Sequence, residues 1–112
     1  MIARASNPNG LPVDDFALVS ALVDAALAKG YSVSVHDGEE WTVRRSTDRD
    51  ALIDALGTTD EDSVRFYDNG SPVGTVWMVY GNRDWSTIAD STVSPEIEAL
   101  TNAAELAAGG AP

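Results

Sequence analysis

His36 is the single histidine of a chain with no cysteine, and that narrows the chemistry at once. Without thiols there are no disulfides, zinc–thiolate sites or cysteine nucleophiles. Any histidine acid–base scheme must pass through His36, which stands directly before Asp37-Gly38 in a segment that reads as a solvated turn. No G-x-S-x-G elbow offers it a serine. Glu39 and Glu40 are neighbours, so on a strand their side chains diverge and do not form a glycosidase-like carboxylate pair. Asp60, Glu61 and Asp62, or Asp48 with Asp50, supply hard oxygen donors, but the spaced acids, glycine and closing glutamate of a calcium loop are missing. Neither G-x-x-x-x-G-K-[ST] nor G-x-G-x-x-G occurs. The expectation is a non-enzyme with no catalytic residue, no metal site and no cofactor. A small metal-dependent hydrolase stands as a rival that needs His36 or the acidic loop to meet other polar groups in a pocket.

The elements that must carry these residues follow from periodicity. Phe16, Val19, Leu22, Val23, Ala26 and Leu27 form one helical stripe. It opens at Pro12 with Asp14 and Asp15 on the positive end of the dipole, and closes at Lys29-Gly30. Tyr31, Val33 and Val35 alternate with serines, and the pattern resumes at Trp41 and Val43 after Asp37-Gly38. A three-residue loop, His36-Asp37-Gly38, would pair Val33 with Trp41 and Tyr31 with Val43, uniting the apolar face. It would leave Ser32, Ser34, Thr42 and Arg44 on a wet face. Thr47 reads as the cap of a short helix through Leu52, Ile53 and Leu56, with Asp50 in a capping-box position. A second hairpin runs from Ser63–Tyr67 through Asp68–Pro72 to Val73–Tyr80, with a short edge strand over Trp85–Ala89. Ser94-Pro95-Glu96 starts a last helix whose inner side is Ile97, Leu100, Thr101 and Ala104.

The result is one α+β domain over residues 1–112, ordered α-β-β-α-β-β-(β)-α, with an antiparallel sheet of four to five strands packed by three helices. Residues 1–11 read as a loose lead-in and 108–112 as a frayed tail. No apolar run reaches the length of a membrane span, and the first ten residues lack the apolar segment of a signal peptide. A cytoplasmic protein is expected.

Eighteen acids against seven basic residues give a net charge of −11. Such a surface repels phosphate backbones, so direct nucleic-acid binding is not expected; a basic partner is the better match. Asp60, Glu61, Asp62, Glu39 and Glu40 are the candidate acidic surface. Arg44 and Arg45 are too few for a basic patch, and as adjacent strand residues they should point to opposite faces.

One strand departs from the in–out alternation. Val76, Met78 and Tyr80 point one way and Thr75, Trp77 and Val79 the other, so both faces call for apolar cover. Either the strand is central and backed by the last helix, or Tyr67, Trp77, Met78 and Tyr80 supply an aromatic contact patch for a protein partner or a second copy.

The run Gly30–Trp41 (GYSVSVHDGEEW), Arg45–Asp48 (RSTD), Thr59-Asp60 and Val79–Asn82 (VYGN) resembles small uncharacterised proteins encoded by bacteriophages and prophages of proteobacteria, over about residues 12–105. The resemblance implies expression in a host bacterial cytoplasm and transfers no functional residue. The functional expectation is a non-enzymatic protein-binding domain, phage-derived, that inhibits a host nucleic-acid-binding or defence protein through its acidic surface. The alternative is a minor virion or assembly component that oligomerises through its sheet.

Overall fold

A computed structural model describes residues 7–81 and 87–108. In chain order they form α1 (Val13–Ala28), β1 (Ser32–His36), β2 (Trp41–Ser46), α2 (Arg49–Ala55), β3 (Glu61–Asp68), β4 (Ser71–Val79), β5 (Ile88–Ser91) and α3 (Pro95–Ala107). The five strands make one antiparallel sheet ordered β2-β1-β3-β4-β5. This is the α+β arrangement expected, with the optional edge strand present. Its start lies three residues later than Trp85; Trp85 and Ser86 fall outside the described residues, as do 1–6 and 109–112 at the ends.

All three helices pack on one face of the sheet. Val33, Val35, Val64, Phe66, Val76 and Met78 project from the strands into a core shared with Leu22, Val23, Leu52, Ile97 and Leu100. Fully burying a side chain of this kind stabilises by roughly 1.5–3 kcal/mol. The caps differ in part from the expected ones. Ser94 Oγ accepts from the Ile97 amide, with Pro95 in the first turn of α3. At α2, by contrast, the cap is Asp48 and not Thr47: its carboxylate accepts from the Asp50 and Ala51 amides and adds a negative charge at the positive end of the helix. Thr101 is only half-buried.

The described part of the lead-in is tied down, contrary to expectation. The Asn7 side chain exchanges two hydrogen bonds with Leu11, and Asn9 Nδ2 donates to the carbonyls of Asp54 and Leu56. Leu11 is buried over Gly57, whose φ of 83° and missing Cβ make room for it.

Register is where sequence reasoning failed most. The first hairpin pairs His36 with Trp41, Val35 with Val43 and Val33 with Ser46, not Val33 with Trp41. The turn has four residues: Asp37 N donates to Glu40 O, while Asp37 Oδ1 accepts from the Glu39 and Glu40 amides. That side-chain turn outcompetes the three-residue loop. Strand β2 then gains one extra residue at each of two bulges. The second hairpin closes tightly at Asn69-Gly70, both at positive φ, between Asp68 and Ser71.

Candidate functional site on the open face of the sheet

The face opposite the helices is crossed by no described element. Its rows follow from the ladder. Trp41, His36, Ser63, Trp77 and Asp90 align across all five strands. Beside them run Ser34, Arg65 and Thr75, and then Ser32 and Tyr67. Beyond His36 the outward side chains of β1 are the short Ser34 and Ser32, while β2 and β3 on either side carry arginine, tryptophan and tyrosine. A trough must result. It is an open depression of about 150 Å³ lined by Ser34, Trp41, Arg44, Arg45, Arg65 and Tyr67.

Sequence reasoning missed this site because it sent Arg44 and Arg45 to opposite faces. Arg45 has a φ of 47°, a left-handed conformation that non-glycine residues rarely adopt. It belongs to the bulge that sets Ser46, rather than Arg45, opposite Val33. The bulge cancels one step of alternation, so both arginines line the trough. Its backbone amide donates to Ser34 Oγ at 2.8 Å, which explains how Ser34, 2% exposed, is satisfied as the trough floor instead of standing on a wet face.

Two guanidiniums are held by rings of the opposite wall. Arg45 Cζ lies 4.7 Å from the Tyr67 ring centroid, and Arg65 Cζ lies 5.1 Å from that of Trp41. The pairs cross over β1 in opposite directions, and His36 braces the Trp41 ring edge-on at 4.9 Å. Among the described residues the ion pair is Arg49 with Asp24, and none of Arg44, Arg45 or Arg65 sits against a carboxylate. Burial pushes the Tyr67 phenol up, but Arg65, Ser34 and Arg45 around its hydroxyl outweigh this and hold it below its usual value. The trough is therefore electropositive in a chain of net charge −11.

The sequence-derived patch divides between the two faces. Trp77 is 40% exposed on the open face, where its Nε1 donates to Glu61 Oε1 at 3.3 Å. Tyr67 shares that face beneath Arg45. Met78 and Tyr80 are core residues and offer a partner no surface: β4 packs against α3, and Tyr80, just beyond β4, turns its hydroxyl inward to Asp62. The helix covers that one side of β4; the Trp77 side has no described cover.

The candidate acids also part company. Glu39, Glu40 and Asp60 are exposed, and Glu61 is half-buried. A bond from Thr59 Oγ1 to Asp37 O at 2.7 Å brings the two acidic loops to one end of the sheet. Asp62 is not part of that surface: it is fully buried, its Oδ2 accepting from Tyr80 Oη at 2.6 Å and from the Gly57 amide at 2.8 Å. Its Oδ1 has no partner. Burial pushes its carboxyl up to about 6, and burial beside Asp62 likewise raises the Tyr80 phenol.

His36 serves the turn, its Nδ1 accepting from the Gly38 amide. Among the described residues no three His, Asp or Glu side chains converge as metal ligands, and no helix is long and apolar enough to cross a membrane. Comparison of the chain with models of protein families, with curated proteins and with solved structures returns no match.

Proposed function

We propose that this chain is a non-enzymatic protein-binding domain that docks its partner on the open face of the sheet, through Trp77 and the arginine trough. One observation carries the reading: three of the chain's seven basic residues line a single depression, none paired with an acid among the described residues, although acids outnumber bases by 18 to seven. On a surface this acidic, unpaired guanidiniums held on aromatic rings are suited to anchor an acidic partner group, since arginine and tryptophan dominate binding hot spots. A partner in a bacterial cytoplasm is what the resemblance to phage-encoded proteins would imply.

The acidic end is a second reading, favoured by the Thr59–Asp37 bond that gathers Glu39, Glu40, Asp60 and Glu61. It would meet a basic protein, such as a host nucleic-acid-binding or defence factor, by charge mimicry.

Capture from bacterial lysate by the wild type, Trp77→Ala, Arg65→Glu and a Glu39→Lys/Glu40→Lys pair, with mass spectrometry, decides between them. The expected result is a protein held by the wild type and by the Glu39→Lys/Glu40→Lys pair and lost by Trp77→Ala and Arg65→Glu. The reverse pattern moves the interface to the acidic end. Capture unaffected by every variant overturns both readings, and a wild type that captures only itself makes the open face a self-assembly surface.

A further inference from the structure

Resting on the open-face reading, we propose that the trough is an oxyanion site that takes the phosphate of a phosphorylated side chain on the partner. The walls supply three guanidiniums, from Arg44, Arg45 and Arg65, and the floor supplies Ser34. A carboxylate is matched by one guanidinium in a two-pronged pair and carries a single charge. A phosphomonoester carries nearly two charges and three strong acceptor oxygens, which suits several guanidiniums at once.

Two features argue that the trough is prepared for an anion. Arg45 and Arg65 are stacked on Tyr67 and Trp41 before any ligand arrives, so less side-chain freedom remains to be lost. Arg45 also occupies a left-handed backbone position at φ 47° that places it in the trough, and strain of this kind concentrates at binding sites.

A nucleic-acid strand fits less well. The Tyr67 and Trp41 rings already carry guanidiniums, which competes with base stacking. A polyanion leaving the trough would also run over a surface of net charge −11. A single phosphate avoids both conflicts.

The test is a chemical-shift titration of the full chain, following amide and arginine Nε resonances, with inorganic phosphate, phosphoserine, phosphotyrosine, acetate and a short oligothymidine. The phosphates should saturate one site centred on Ser34, Arg45 and Arg65, at least about tenfold tighter than acetate. Arg65→Gln and Arg44→Gln should each weaken them about tenfold or more. Lys29→Gln, which removes the same charge from an exposed position after α1, should change nothing. Tighter binding of the phosphoamino acids than of inorganic phosphate marks a side chain as the source; equal binding makes the free anion the ligand and overturns the phosphorylated-partner assignment. Acetate binding as tightly as phosphate, oligothymidine binding more tightly, or an unaffected Arg65→Gln variant overturns the proposal. If the phosphates fail to bind while capture still depends on Trp77, this inference falls alone. If they bind while nothing is captured through Trp77, the docking reading falls and the anion site stands.

Discussion

Replacing Arg45 by asparagine separates what the residue does for the fold from what it does for the surface. At φ 47° a non-glycine side chain costs about 1 kcal/mol or more, whereas asparagine tolerates the left-handed region. The substitution also removes the guanidinium stacked 4.7 Å over Tyr67, worth about 0.5–1 kcal/mol at an exposed position. The amide bond to Ser34 Oγ belongs to the backbone and survives. The two effects nearly cancel, so the asparagine variant should unfold within about 3 °C of the wild type. Arg45→Ala loses the same stack without relieving the backbone, and should be less stable than Arg45→Asn by about 1 kcal/mol. Urea denaturation of the three proteins reads this directly. In the same samples phosphate binding should drop about tenfold or more for both variants, because a bond to a charged donor is worth about 1.5–3 kcal/mol. An asparagine variant less stable than the alanine variant would show that no strain is held at Arg45. Undiminished phosphate binding would remove Arg45 from the site.

Two further outcomes concern the core. The Asp62 carboxyl titrates at about 6 in the fold and at 3.8 in the unfolded chain, so the folded state holds that proton more tightly. This contribution to stability is complete below the unfolded value and is lost as pH rises through about 6, an effect on the order of 2 kcal/mol after solvent screening. The stability gap between wild type and Asp62→Asn should therefore shift by that amount, against the wild type, between pH 4 and pH 7 in urea melts; a constant gap refutes it. Gly74→Ala should destabilise by about 1–3 kcal/mol in the same assay, because a Cβ there would stand 2.5 Å from Ile97 Cγ1 on α3; wild-type stability would mean that α3 is free to shift.

Residues with local causes were legible. The stripe from Val19 to Ala26 and the Ser94-Pro95 start of α3 depend on neighbours within a turn or two, so composition and spacing sufficed to locate the helices. The alternation of Val76, Met78 and Tyr80 against Trp77 and Val79 likewise described β4 correctly. What alternation could not say was which set the helices would cover. Alternation alone leaves Met78 and Tyr80 open to either side; the packing of α3 on β4 and the bond from Tyr80 to buried Asp62 put both in the core.

The trough needed tertiary structure altogether. Arg44 and Arg45 look like an in–out pair in any linear reading, and only a bulge, imposed by the Asp37 turn and the pairing of Val33 with Ser46, turns them to one side. Arg65 joins them from a strand that lies two places away in the sheet and some twenty residues on in the chain. Sequence by itself determined the element types and the acidic charge, since these arise from short-range sterics and from counting. Register, the uncovered face and the meeting of three arginines were decided by long-range pairing, because a one-residue slip costs little locally yet inverts every side chain beyond it.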